Sequence, residues 1–216
     1  MTPPTTPAAD RPAPAVRPYR PGDLPALYDI CLRTAQAGQD ATPYYPARDH
    51  ALLGAIFAAP YAVLEPESAF VLDDGDGRAV GYVLGTADTA GFARRFRDEW
   101  LPTVADRWPA PQGEPATPSE VMAGLLHTPE RIVLPELAAY PAHLHIDVLP
   151  DFQAAGHGRA LTTAFLGALA GRGVPAVHLG MLTVNTGARA FYDRLGFHEL
   201  TVRDPGALTY LGRGTS

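Results

Sequence analysis

The spacing of apolar residues changes along the chain from the short runs typical of strands to the three-to-four-residue repeat typical of helices. The strand-like segments cover residues 16–20, 69–72, 79–86, 143–149, 176–183, 197–202 and 208–211. The helical segments cover residues 24–31, 50–57, 89–108 with a break near Pro102, 119–126, 158–172 and 186–195. This alternation predicts a single α/β domain in which helices flank a central mixed β-sheet.

The beginning of the chain follows a different pattern. Residues 1–15 contain five prolines and almost no large apolar side chain, so this segment cannot bury enough surface to offset the entropy of ordering it. We therefore expect a flexible Pro-rich tail over residues 1–15 and one folded domain over residues 16–216.

Composition and charge exclude some classes of function. The formal net charge of −6 argues against general nucleic-acid binding, which depends on clustered positive charge, and is compatible with a cationic substrate such as an amine. All 17 basic side chains are arginines, which is typical of a GC-rich, bacterial genome. The single cysteine, Cys31, cannot form an intrachain disulfide, and no apolar run approaches the roughly 20 residues of a membrane span. We expect a cytoplasmic protein without membrane association.

The strongest chemical signal lies between residues 146 and 160. The strand there ends at Pro150, which has no amide to donate, and a loop with Gly156 and Gly158 leads into a helix. The first amides of a helix have no partner inside it and point outward at its positive end, where they can bind a phosphate or diphosphate. A Walker loop would need a lysine, which the chain lacks, and a dinucleotide-binding loop would need a longer glycine pattern.

The wider pattern around this loop resembles the acetyl-CoA motif of the GNAT N-acetyltransferases. In that family a strand is followed by Gln-x-x-Gly-x-Gly and a helix, and residues 153–158 match this order. The family's later asparagine and tyrosine correspond to Asn185 and Tyr192, and residues 191–197 read Phe-Tyr-x-x-Leu-Gly-Phe. The resemblance is strongest over residues 143–200 and implies the GNAT fold with acetyl-CoA as the cofactor.

The front part of the chain resembles a narrower group. Residues 16–21, 28–31 and 81–88 are similar to the acetyltransferase-like C-terminal domain of eukaryotic O-GlcNAc hydrolases, which is generally regarded as a degenerate acetyltransferase. The intact glycine loop of the present chain implies a bacterial relative that is competent to bind the cofactor. This resemblance leaves a second hypothesis open, namely a non-catalytic module that binds acetyl-CoA or a partner protein without turnover.

The resemblance also implies roles for individual residues of the cofactor site. The strand at 146–149 would carry a bulge that separates it from its neighbour, so that backbone groups near Val148 bind the pantetheine arm and the acetyl carbonyl. The loop and the start of the helix would hold the diphosphate, and Asn185 would bind the pantetheine arm or cap its own helix. The residues expected at the cofactor are Ile146, Val148, Gln153, Gly156, His157, Gly158, Arg159, Ala160, Asn185 and Tyr192.

Acetyl transfer to an amine also needs proton transfer. Tyr192 is the candidate acid for the departing CoA thiolate, since a phenol with a pKa near ~10 can protonate a basic thiolate, although the ring can also simply pack its helix on the sheet. Asp147 is the candidate base or amine anchor, and His145 on the same strand face, or a water chain, can take that role instead. Further candidates for the acceptor pocket are Tyr44, Tyr45 and Asp88.

His143, His145 and Asp147 alternate along one strand and imitate a run of metal ligands. No second group of ligands follows, so we predict no metal site. The whole sequence predicts an enzyme that transfers acetyl from acetyl-CoA directly to an amine through a ternary complex. The amine can be a small molecule, a peptide or a protein, and the chain can act as a monomer or a homodimer.

Overall fold

The computed structural model describes residues 12–216, over which seven strands form one mixed sheet. The strands are β1 (Ala15–Pro18), β2 (Ala69–Asp73), β3 (Ala79–Thr86), β4 (Ala142–Val148), β5 (Ala176–Leu182), β6 (His198–Leu200) and β7 (Leu208–Gly214). Their order across the sheet is β1-β2-β3-β4-β5-β7-β6, with β4 and β5 parallel and the other neighbours antiparallel. The predicted mixed α/β sheet is confirmed.

Helices cover both faces of this sheet. They are α1 (Leu24–Thr34), α2 (Leu52–Phe57), α3 (Ala59–Leu64), α4 (Thr89–Arg95), α5 (Leu101–Val104), α6 (Pro118–Leu126), α7 (His157–Gly171) and α8 (Thr186–Asp193). Gly85 of β3 faces the Phe165 ring of α7, whereas Tyr82, an odd number of residues away, points to the opposite face near α1. No helix within residues 12–216 is long and apolar enough to cross a membrane.

Two helical segments differ from the sequence pattern. The predicted helix at 50–57 is followed by a second short helix, α3, because the chain bends and Pro60 then occupies a favoured position in a new first turn. The predicted helix at 89–108 is divided into α4, a π-helical turn at Phe96–Trp100 and α5. Pro102 accounts for the division, because its missing amide removes one helical hydrogen bond.

An ionic cluster fixes the start of the domain. Arg17 of β1 donates to both carboxylate oxygens of Asp23 at 2.7 and 2.8 Å and to Asp73 at 2.8 Å. These bonds tie β1 to the start of α1 and to the end of β2. Ala15 already belongs to β1, although it falls in the predicted tail; residues 1–11 of that tail lie outside the described residues.

Candidate functional site

A wedge opens between β4 and β5. The two strands pair only at Ala142 with Val177 and at His143 with His178, whereas β4 pairs with β3 as far as Val148. The ladder between β3 and β4 keeps one register throughout, so the bulge predicted in β4 is absent on that side. On the other side, the parallel pairing of β4 with β5 ends after two residue pairs, and the two strands separate beyond His143 and His178.

The open edge of β4 carries backbone groups that do not pair with β5. Leu149 donates its amide to Val80 of β3 at 3.0 Å, and in an antiparallel ladder the residues that bond to one neighbour alternate along the strand. Ile146 and Val148 therefore direct their N–H and C=O groups into the wedge. These are the two strand residues expected at the cofactor.

The loop after β4 is fastened to the strand by Gln153. Its side-chain Nε2 donates to the Val148 carbonyl at 2.7 Å, and its backbone amide donates to Pro150 at 3.1 Å. Gln153 was expected to hold the diphosphate, and both its backbone donor and its side chain serve the loop instead. Ala154 and Gly156 adopt positive φ angles of 60° and 85°, which turn the chain into α7.

The start of α7 presents free amides to solvent. The first intrahelical bond runs from the amide of Ala160 to the carbonyl of Gly156 at 3.1 Å. The Ala160 amide, which was expected to bind the cofactor, is therefore not a free donor. Within residues 12–216, no acceptor is found for the amides of Gly156, His157, Gly158 and Arg159. No side chain caps this helix end. Four donors at the positive end of a 15-residue helix suit a diphosphate.

Gly158 also brings α7 close to α8. A Cβ at this position would lie 3.1 Å from two ring atoms of Phe191, tighter than ordinary contact, so the glycine allows the two helices to approach. Asn185 caps α8, because its side-chain oxygen accepts a hydrogen bond from the amide of Ala188 at 3.0 Å. Helix capping was one of the two roles expected for this residue, beside binding of the pantetheine arm. The exposed Arg159 guanidinium lies 3.4 Å from the carbonyl of Arg194.

Tyr192 lies on α8 beside the wedge. Its ring packs between Phe191 and Phe197, with centroids at 5.1 and 5.4 Å, and only 8% of the residue is exposed. Burial, with a smaller contribution from the negative charge of Asp147, raises the pKa of Tyr192 well above the usual phenol value. The phenol is therefore protonated at neutral pH and can act as an acid.

Asp147 faces the opposite strand partner, Tyr82. The two residues are paired in register, and the Tyr82 hydroxyl donates to Oδ2 of Asp147 at 2.6 Å. Burial raises the pKa of Asp147 to about 6, although the hydroxyl of Tyr82 favours its charged form. Asp147 keeps some solvent contact. A carboxylate that titrates near 6 can accept a proton at neutral pH.

A chain of hydrogen bonds orients the histidines of β4. The Thr89 hydroxyl lies 2.8 Å from the Pro141 carbonyl and 2.8 Å from Nδ1 of His143. A carbonyl only accepts, so Thr89 donates to Pro141 and His143 carries its proton on Nδ1. Nε2 of His143 then accepts from the Tyr61 hydroxyl at 2.8 Å. The oxygen of that hydroxyl accepts in turn from Nε2–H of His145 at 3.2 Å. This assignment leaves Nδ1 of His145 as an acceptor.

The other predicted residues lie in different surroundings. Asp88 is the N-cap of α4, where it accepts the amide of Gly91 at 3.0 Å, so the structure gives it a helix-capping contact just beyond the end of β3. Tyr44 is 55% exposed, and Tyr45 packs against the core. Within residues 12–216 no group of three or more His, Cys, Asp or Glu side chains has a geometry suited to a metal ion.

Tyr82 and Tyr61 contribute to the site and were not singled out from the sequence. Tyr82 contacts Asp147 across a strand pair, and Tyr61 on α3 bridges two histidines more than 80 positions away. Such long-range partners follow only from strand register and helix packing. The sequence feature that could have pointed to Tyr82 is an aromatic residue in the middle of a predicted strand, β3, which pairs with β4.

Comparisons with known proteins agree with this geometry. A model of the acetyltransferase (GNAT) family matches residues 122–197. The crystal structure of SsHAT is 62% identical and superposes with a TM-score of 0.91, covering 95% of this chain and 100% of that chain. Protein O-GlcNAcase from Rattus norvegicus is 26% identical over 215 residues, which is 98% of this chain but only 23% of the relative's length.

A more distant structure has the same fold. The GNAT superfamily phosphinothricin acetyltransferase from Sinorhizobium meliloti, in complex with AcCoA, has a TM-score of 0.53 at 16% identity, and the match covers 94% of this chain and 88% of that chain. The family resemblance read from the glycine loop is confirmed. The chain belongs to the GNAT acetyltransferase family.

Proposed function

We propose that the protein is an N-acetyltransferase that moves acetyl from acetyl-CoA directly to an amine. The observation that carries this proposal is the meeting of the open β4 edge with the free amides of α7. The extended pantetheine arm can lie along the open edge of β4 while the diphosphate binds the free amides of α7. The phosphinothricin acetyltransferase of the same fold, crystallised with AcCoA, supports this choice of ligand.

The backbone of the wedge supplies the binding groups. In our proposal the amides of Gly156, His157, Gly158 and Arg159 bind the diphosphate, and the backbone of Ile146 and Val148 binds the pantetheine arm. The Val148 amide points into the wedge and is available to the thioester carbonyl, where negative charge develops during transfer. When bound, acetyl-CoA supplies the activated acyl group.

Two side chains are proposed to move protons. Asp147 binds the ammonium form of the acceptor and takes its proton, because a pKa of about 6 makes it a stronger base than an ordinary carboxylate. Tyr192 donates a proton to the departing sulfur; its phenol carries that proton at neutral pH, and burial, which raises its pKa, makes it a weaker acid than a free phenol. His145 is a weaker base, since burial and the nearby Arg131 charge lower its pKa to about 4.

The proposal is tested by following free thiol release from acetyl-CoA with a panel of amines. We expect turnover by the wild type, and Tyr192→Phe should lower kcat at least 10²-fold while acetyl-CoA binding changes little. Tyr140→Phe is the matched control, because the Tyr140 hydroxyl bonds to exposed His198 at 2.9 Å. Cofactor binding without turnover on any amine would favour the non-catalytic module.

A further inference from the structure

An arginine from the segment between α6 and β4 lies over the same sheet face as the acceptor residues. The Arg131 guanidinium carbon is 5.9 Å from the centre of the Phe57 ring, and that ring is 5.8 Å from the ring of His145. Tyr61, which bonds to His145, is 5.0 Å from it between ring centres. These four side chains form what we call the Arg131 cluster, which adjoins β4 two positions before Asp147.

Arg131 has no acidic partner here. Its Nη1 donates to the carbonyls of Leu125 and Thr128 at 3.0 and 3.3 Å, which leaves Nε and Nη2 for other acceptors. From Pro12 to the end of the chain, no carboxylate lies within 4.0 Å of this guanidinium. A guanidinium that is partly withdrawn from water is stabilised by an anion that accepts two parallel N–H bonds.

The surroundings of Arg131 contrast with those of other arginines. Burial lowers the pKa of Arg131, whereas hydrogen bonds donated to carboxylates raise the pKa of Arg17, Arg95 and Arg97. Its neighbours add no second charge, because burial lowers the pKa of His145 to about 4 and leaves that ring neutral at pH 7. The Arg131 cluster therefore contains one positive charge among aromatic and neutral groups.

We propose that Arg131 binds a carboxylate carried by the acceptor amine. This inference rests on the proposed function, since the amine end of the same molecule would lie at Asp147. His145 and Asp147 are two residues apart on one strand face, which is about 6–7 Å. This spacing separates Asp147 from His145, and the Phe57 ring lies between His145 and Arg131. The acceptor is then an amino acid or peptide whose amine and carboxylate are several bonds apart, such as lysine or 5-aminovalerate, because an α-amino group beside its own carboxylate is too compact to bridge Asp147 and Arg131.

The test compares amines that differ only in the carboxylate. Lysine is paired with cadaverine, and 5-aminovalerate with butylamine, and kcat/KM is measured for wild type, Arg131→Gln and Arg131→Lys. We expect the kcat/KM of the wild type to be at least tenfold higher for the carboxylate-bearing member of each pair. Arg131→Gln should remove this preference, and Arg131→Lys should restore part of it. Arg94→Gln, which removes an exposed charge from α4, should keep the wild-type ratio.

Each outcome decides the inference. A wild-type ratio near one, or a preference that survives in Arg131→Gln, overturns it even if acetyl transfer itself is observed. If acetyl-CoA binds but no amine in the panel reacts, thermal shifts of the CoA-bound protein with 5-aminovalerate and butylamine replace the rates. The absence of an Arg131-dependent difference there overturns the inference as well. Failure of the proposed function is recognised separately, when the wild type does not bind acetyl-CoA or binds it without turnover of any amine.

Discussion

The Asp147 carboxyl is predicted to reduce the stability of the folded protein at neutral pH. Its pKa rises from the ordinary 3.8 to about 6 in the fold. For a fully buried group this change corresponds to about 3 kcal/mol of unfolding free energy. Because Asp147 keeps some solvent contact and screening reduces the effect, we expect about 1–2 kcal/mol. Replacing Asp147 with Asn removes the charge and keeps an oxygen that accepts from Tyr82.

The pH dependence follows from the sign of this shift. The folded state binds a proton more tightly than the unfolded chain, so protonated Asp147 adds its full stabilisation below about pH 4, and that stabilisation is lost as pH rises through about 6. The Asn variant has no such loss. The variant should therefore gain about 1–2 kcal/mol over the wild type between pH 4.5 and 7.5.

Urea unfolding at pH 4.5, 5.5, 6.5 and 7.5 measures this difference. Asp106→Asn, which changes an exposed carboxyl of the segment after α5, is the control and should show no comparable trend. A difference between Asp147→Asn and wild type that stays constant across these pH values would refute the reasoning. In activity, the variant should lose the acid limb of kcat/KM near pH 6 together with most of its turnover.

Three further changes test the fold and the site. Arg17→Gln removes the cation that bonds to buried Asp23 and should lower the free energy of unfolding, measured by urea unfolding, by about 2–4 kcal/mol. The difference from wild type should shrink below about pH 4 as the carboxylates are protonated. Gly85→Ala places a Cβ 2.2 Å from the His143 carbonyl and should lower the melting temperature by about 10 °C or more, as read by calorimetry. Tyr61→Phe removes the acceptor for Nε2–H of His145, so ¹⁵N spectra should show its tautomers mixed; unchanged spectra would contradict the hydrogen-bond directions.

Local sequence patterns were enough to predict the parts of the structure that depend on neighbouring residues. The start of α7 after Gly156 is a local event, because two positive φ angles and four unpaired amides follow from the loop itself. The order of strands and helices around it also follows from apolar spacing. The division at Pro102 was expected, whereas the extra helix α3 was missed because its apolar residues continue the pattern of α2.

The contacts that tune the site depend on register and were not predicted. Tyr82 meets Asp147 only because β3 and β4 pair in one particular alignment. The use of Gln153 to hold the loop on Val148, and the withdrawal of the Ala160 amide into α7, require coordinates. Sequence motifs can identify which segment binds a ligand, but hydrogen-bond geometry decides which of its donors are free.

Titration calorimetry with acetyl-CoA tests the central claim most directly, because free amides at the start of α7 should bind a diphosphate. We expect the wild type to bind and Gly156→Ala to bind about tenfold more weakly, since alanine is strained at a φ of 85°. Gly173→Ala is the matched control at the other end of the same helix, with a φ of 72° and open space around it, and should keep the wild-type Kd. No binding by the wild type, or an equal loss in both variants, would contradict the account.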